Sequence, residues 1–320
     1  MFTINNTLLE ISEEPALKKY LPYFVYHHDL LAKSGHKPIR TLWNEAAAQA
    51  VLNALERICE NEKKQNCLYR IYPEADTENA HVRVVDFPCE NGGDKPWVLL
   101  CAGGSYLNVW NLTEAWTTAL SFNRLGYHVF TLNYTVGYPG LMPKPLADTA
   151  AAVSWIRRNA AQLGIRPQSY VIGGFSAGGH LAGAWATEAR GWAKYGLPSP
   201  CAALLIYPAT SSDYVEPEVR AIYRANIAGA EASPETVAGW NVENIATASY
   251  PPTYLIHSED DPLVGVETSR VLENRLKALG VPVTAEYVKH SGHGFCDGAG
   301  TDAADWPLRA DRFLRQHTRG

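Results

Sequence analysis

Residues 170–180 read Tyr170-Val171-Ile172-Gly173-Gly174-Phe175-Ser176-Ala177-Gly178-Gly179-His180. The apolar run Tyr170-Val171-Ile172 reads as a short buried strand, and His180-Leu181-Ala182-Gly183-Ala184-Trp185-Ala186 continues at helical spacing. Between them lies Gly-x-Ser-x-Gly. A serine on so sharp a strand-to-helix turn is held in a strained backbone conformation, and side chains two residues before and after it would collide across the turn. Gly174 and Gly178 meet that need. The turn lifts the Ser176 hydroxyl above the sheet at a helix N-terminus, where the Ala177 N–H is free to bind an oxyanion. The competing reading is a glycine-rich junction whose serine merely caps the helix. The motif by itself does not choose between them.

The surrounding chain repeats the strand–helix rhythm. Apolar runs at 97–101, 128–132, 202–207, 254–257 and 283–288 read as strands. Helical patterns at 113–125, 146–163, 266–279 and 306–317 separate them, several closed by glycine (Gly126, Gly164, Gly280). Residues 68–72 and 81–87 alternate like an antiparallel hairpin. The pattern predicts an α/β fold: a mostly parallel sheet covered by helices on both faces, with an antiparallel edge. In such sheets ligands bind outside the carboxyl ends of the strands, where the glycine-rich and acid-rich turns of this chain fall.

Two segments break the rhythm. Residues 1–66 form an N-terminal helical extension ahead of a main domain at 67–320. The extension has an aromatic-rich stretch at 16–31, interrupted at Pro22, and a helix at 43–63 whose Val51, Leu52, Leu55, Ile58 and Cys59 share one face. It is expected to brace the main domain or to cap a substrate pocket. Residues 208–250 are polar, carry Pro217 and Pro234, and read as a small lid insertion.

With 320 residues and 46% hydrophobic residues the chain can fill a sizeable core, which excludes a disordered or fibrous protein. A formal net charge of -5 without a basic run argues against nucleic acid and against an anionic membrane surface. No stretch approaches a membrane span, and the N-terminus has no basic-then-apolar leader. The six cysteines show no metal-like spacing, as expected of free thiols in the cytoplasm.

An acyl-transfer serine needs a base, a group that orients the base, and donors for the developing oxyanion. Each is available at a strand end. Glu259-Asp260-Asp261 follows 254–257, and any of the three could meet an imidazole from the next loop. His293 lies between glycines after 283–288, with His290 as a rival base nearer the strand. Gly103 and Gly104 follow 97–101, and their N–H groups can approach a ligand because no Cβ intervenes. His180 and His257 read as structural histidines. The order Ser, Asp, His belongs to one fold among those that use this chemistry.

Four motifs together, Ala-Gly-Gly-Ser-Tyr at 102–106, Gly-Phe-Ser-Ala-Gly-Gly-His at 174–180, Asp-Asp-Pro-Leu-Val at 260–264 and Ser-Gly-His-Gly-Phe at 291–295, carry a resemblance. From about Val84 onward the chain resembles the α/β-hydrolase superfamily, specifically compact esterases of acetyl-xylan and feruloyl type. Hormone-sensitive-lipase-like esterases are more distant. Family members often carry His-Gly-Gly-Gly or Pro-Gly-Gly-Gly-Tyr at the oxyanion loop, whereas this chain has Ala102 first and Ser105 at the last glycine. The resemblance implies Ser176 as nucleophile, His293 as general base and Asp261, three residues before Val264, as its orienting acid. It implies an oxyanion hole from the N–H groups of Gly103, Gly104 and Ala177, with no cofactor and no metal.

Tyr106, Trp110, Tyr138 and Trp240 fall on loops or the lid and are expected around the serine. Their faces suit a sugar, a phenolic or alkyl acyl group, or lid packing. The expected activity is hydrolysis of short-chain carboxylic esters, acetyl groups on carbohydrate first, with a small-molecule ester such as an acetylated sugar as partner. An amidase (a formamidase, for example) or peptidase with the same triad is the enzymatic rival. A non-catalytic binding protein on the same fold would predict a broken triad.

Overall fold

Runs such as Trp97–Cys101 offer water no polar face, so they are stable only when covered on both sides. A computed structural model of the chain, describing residues 1–89 and 94–318, places them at the centre of one eight-stranded sheet. Its strands are β1 (Leu68–Arg70), β2 (Arg83–Phe87), β3 (Trp97–Cys101), β4 (Val129–Asn133), β5 (Tyr170–Phe175), β6 (Ala202–Ile206), β7 (Thr253–Ser258) and β8 (Val283–Val288). They lie in the order β1-β2-β4-β3-β5-β6-β7-β8. The first two pairings, β1 with β2 and β2 with β4, are antiparallel, and the rest are parallel. Trp97 stacks on Tyr170 at 4.8 Å and meets Phe130 edge-on, all fully buried. Burial of each such ring contributes roughly 2–3 kcal/mol.

The helices ahead of the sheet are α1 (Leu8–Ser12), α2 (Leu30–Ser34) and α3 (Glu45–Glu62). Those between strands are α4 (Trp116–Arg124), α5 (Lys144–Arg158), α6 (Ala160–Leu163), α7 (Ser176–Trp185), α8 (Pro217–Ala228), α9 (Pro234–Ala238), α10 (Val242–Ile245) and α11 (Glu267–Ala278), and α12 (Trp306–His317) follows β8. α4 and α12 pack on one face, with α3 against α4; α5, α7 and α11 cover the other. The apolar stripe read on α3 is buried as expected, and Asn44 caps the helix by accepting from the Ala47 N–H. No helix among the described residues is long and apolar enough to cross a membrane.

Local readings shift where the sequence signal was weak. The break expected at Pro22 does not occur: Pro22 lies inside a 3₁₀ helix, Pro15–Tyr23, whose φ range suits the proline ring. The helix expected over 146–163 is two, because Asn159 leaves helical geometry (φ -99°, ψ 10°) and its side chain donates back to the Trp155 carbonyl. The helix expected from 113 opens with a π turn, Asn111–Ala115.

Beneath the serine turn, His180 is buried and bonded at both nitrogens. Its Nε2–H donates to the Trp240 carbonyl at 2.8 Å, so Nδ1 accepts from the Tyr106 hydroxyl at 2.7 Å. Burial pulls its pKa down from 6.5 to about 4. An unfolded chain therefore binds more protons than the folded one between those values. The stability gained by burying a neutral His180 is complete above pH 6.5 and lost as the pH falls toward 4. Urea unfolding at pH 7 and pH 4.5 should show a fall in stability smaller by about 2 kcal/mol in His180→Gln than in the native chain. Equal falls would place the proton uptake elsewhere.

Candidate active site

The serine turn is built as its glycines require. Ser176 has φ +51°, the left-handed region, at the junction of β5 and α7. A Cβ on Gly174 would lie 2.1 Å from the Gly178 carbonyl oxygen, and one on Gly178 would lie 2.1 Å from that of Cys101. Both contacts are with backbone and leave no room for a side chain.

The Ser176 hydroxyl is 3.0 Å from His293 Nε2, and His293 Nδ1 is 2.7 Å from Asp261 Oδ2. An ionised carboxylate only accepts, so Nδ1 carries the proton and Nε2 is left to accept from the serine. Asp261 Oδ1 accepts from the Leu263 and Val264 N–H groups, both at 2.9 Å. Burial alone would raise the Asp261 pKa. Hydrogen bonds from His257, from His293 and from the Val264 N–H together hold it well below the usual carboxylate range.

Neighbouring candidates have other roles. Asp260 accepts from the Ser258 hydroxyl and from the N–H groups of Ser291 and Gly292, which fixes the loop that carries His293 and lowers the Asp260 pKa to about 2. Glu259 pairs with Lys289 and Arg270. His290 is exposed, 3.4 Å from Asp260.

His257 does more than the structural role expected of it. Its Nδ1 accepts from Ser269 at 2.7 Å, and its Nε2–H is shared between the Val264 carbonyl and Asp261 Oδ2. A histidine ending a strand four residues before the acid was the available signal.

The loop after β3 differs from expectation in one residue. The Gly103 N–H donates to the buried Glu114 carboxylate. The N–H groups of Gly104 and Ser105 have no acceptor among the described residues, and both residues line the cavity at Ser176. Ala177 lies in the first turn of α7, where N–H groups lack helical partners. The cavity-lining loop N–H groups without an acceptor among the described residues are thus those of Gly104 and Ser105, and not that of Gly103. Glu114 gave no sequence signal beyond being a lone acid in an apolar stretch.

The cavity over Ser176 has a volume of about 630 Å³. Trp110 lines it, together with Trp43, Asn44, Ala47, Ala50 and Val51 of the N-terminal segment. The other three aromatic candidates are placed elsewhere. Tyr106 is fully buried against Tyr134, Tyr223 and His180. Trp240 is buried under the Arg190 guanidinium, and Tyr138 points outward, 45% exposed. None of 208–250 lines the cavity; Tyr223, Trp240 and Val242 of that stretch pack on the loop after β3 and on α7 instead. The cover expected from the lid comes from the first 66 residues.

A hydroxyl bonded to an imidazole, itself bonded to a carboxylate, can give up its proton as the oxygen attacks an electrophilic carbon. A family model described as the alpha/beta hydrolase fold matches residues 98–297. The endo-1,4-beta-xylanase B of Butyrivibrio fibrisolvens is 30% identical over 62% of this chain and 32% of its own length. The acetylxylan esterase of Xylanibacter ruminicola is 26% identical over 75% of this chain and 48% of its own. The chain thus spans a third to a half of these relatives. The crystal structure of an acetyl ester-xyloside bifunctional hydrolase from Caldicellulosiruptor lactoaceticus superposes with a TM-score of 0.63 at 26% identity, covering 73% of this chain and 88% of that one.

The tightness of the turn is directly testable. Gly178→Ala should lower stability by at least about 3 kcal/mol in urea unfolding, because its methyl has only backbone to displace. Unchanged stability would mean that the turn is looser than described.

Proposed function

The chain belongs to the alpha/beta hydrolase family, and on that premise we propose that it is a serine esterase of short-chain carboxylic esters, acetyl groups on carbohydrate first among them. The observation that carries this reading is the unbroken hydrogen-bonded run from Ser176 through His293 to Asp261, beside loop N–H groups without an acceptor among the described residues.

In the mechanism this supports, Ser176 Oγ attacks the ester carbonyl while His293 Nε2 takes its proton. The electron pair pushed onto the carbonyl oxygen is held by the N–H groups of Gly104, Ser105 and Ala177. Collapse expels the alcohol, which leaves with the proton from His293. Water then attacks the acyl-serine, giving a proton to His293, and the acid departs as Ser176 is reprotonated. Asp261 stays ionised throughout and stabilises the imidazolium.

Two features favour an acetylated sugar. Trp43 and Trp110 line the cavity together with Asn44 and Asn108, a mixture of large aromatic and polar residues suited to a sugar ring. The relatives' names point the same way, being those of an acetylxylan esterase and an acetyl ester-xyloside hydrolase.

Hydrolysis of p-nitrophenyl acetate, butyrate and octanoate should be compared with release of acetate from peracetylated xylose. Turnover should be highest for acetyl esters and fall by at least about 10³-fold in Ser176→Ala. Activity surviving in that variant would overturn the catalytic assignment, and preference for octanoate would move the substrate to general carboxylic esters. Ala47 and Ala50 supply a second test of the cavity. Ala50→Phe should cut kcat/KM for the acetylated sugar by about tenfold or more while sparing p-nitrophenyl acetate, and equal losses on both would remove α3 from substrate selection.

A further inference from the structure

Glu114 is a buried carboxylate within the cavity lining, and the mechanism above leaves it without a task. It sits in the π turn Asn111–Ala115, where the extra residue per turn changes which side chains face the sheet. Its two oxygens reach in different directions. Oε2 accepts from the Gly103 N–H, and Oε1 accepts from the Tyr207 hydroxyl at 3.0 Å.

Each partner touches one half of the catalytic machinery. Gly103 lies flush on the serine turn: a Cβ there would be 2.8 Å from both the Phe175 oxygen and Ser176 Cβ. It is also the residue immediately before Gly104 and Ser105. Tyr207 follows β6 with φ +35°, a conformation side chains rarely adopt, and its ring packs edge-on against His293 at 4.9 Å and Phe295 at 4.6 Å.

We propose that Glu114 is a positioning residue that couples the oxyanion loop to the packing face of His293 by holding Gly103 and Tyr207 at once. Resting on the esterase reading, this gives the carboxylate no contact with the reacting atoms in the chemical step. It acts through the loop, by occupying Gly103 so that Gly104 and Ser105 present their N–H groups, and through Tyr207, which limits where the imidazole ring can tilt. Without it, the Gly103 N–H is left buried and unpaired and the loop relaxes to find another acceptor. The ground state binds almost as before, but the oxyanion is poorly met.

The substituted side chains separate position from charge. Gln at 114 can accept from the Gly103 N–H through its oxygen and donate to the Tyr207 hydroxyl oxygen through its amide. Asp is one methylene too short to span both. Initial rates on p-nitrophenyl acetate should be measured for the native chain, Ser176→Ala, Glu114→Ala, Glu114→Asp and Glu114→Gln, with thermal unfolding of each. Glu114→Ala should lose about 10²-fold in kcat with KM within about threefold. Glu114→Asp should lose about tenfold in kcat, and stands in for the alanine variant if that one does not fold. Glu114→Gln should recover most of the lost kcat.

A Glu114→Ala or Glu114→Asp chain that folds and keeps native kcat would overturn the proposal. So would a folded Glu114→Gln as slow as alanine, which would assign the effect to charge. A native chain without activity, or one whose activity survives in Ser176→Ala, overturns the esterase reading and this inference with it.

Discussion

The aspartate carboxylate at the end of β7 is the interaction on which the rest of the site depends. Asp261 has room for about four hydrogen bonds at its two oxygens, and the fold fills them: two from backbone N–H groups of its own turn, one from His257 and one from His293. A carboxylate so satisfied has one rotamer and one charge. It therefore dictates which nitrogen of His293 is protonated and which way the ring faces. Asp260, next to it, points into the other loop and clamps Ser291 and Gly292. Two adjacent aspartates thus divide the labour, one fixing the imidazole and the other fixing the chain that carries it.

Around this anchor the backbone is held in unfavourable shapes. Ser105, Tyr106, Ser176 and Tyr207 have positive φ between 35° and 58°, and each such residue costs on the order of 1–3 kcal/mol. Every one has a specific restraint. The Ser105 carbonyl accepts from Asn226, the Tyr106 hydroxyl is bonded to His180, the Ser176 carbonyl accepts from the Ala209 N–H, and Tyr207 is bonded to Glu114. Asn226 and Tyr223 belong to α8, so the insertion after β6 supports the glycine-rich loop after β3 from behind rather than closing over the serine.

The sheet and the order of chemistry along it were legible because they rest on strong local signals. Continuous apolar runs mark doubly covered strands, and the spacing of Gly174, Ser176 and Gly178 follows from sterics that the structure repeats as 2.1 Å approaches. The parts that escaped were non-local. Nothing around Tyr106 announces that its ring is packed away beneath α8, and an aromatic residue beside a glycine-rich loop reads the same whether it faces in or out. That Gly103 rather than Ser105 loses its N–H to a carboxylate depends on Glu114, eleven residues on, turned inward by a π turn that periodicity does not reveal. The position of α3 against the cavity is likewise a tertiary fact, since its stripe shows only that it is buried and not which side chains stop short at the edge.

The attachment of the first residues changes what counts as the working unit. Tyr26 and Val109 exchange both backbone hydrogen bonds, the Leu112 N–H reaches the Phe24 carbonyl, and Tyr20 and Phe24 close edge-on around Trp116. The family match begins only at residue 98. A fragment trimmed to that match would keep its serine, histidine and aspartate yet lose a wall of the cavity and bare a tryptophan to water. Heredity can exploit the same separation. Substitutions along α3 can re-cut the cavity without touching Ser176, His293 or Asp261, because none of the three lies on that helix.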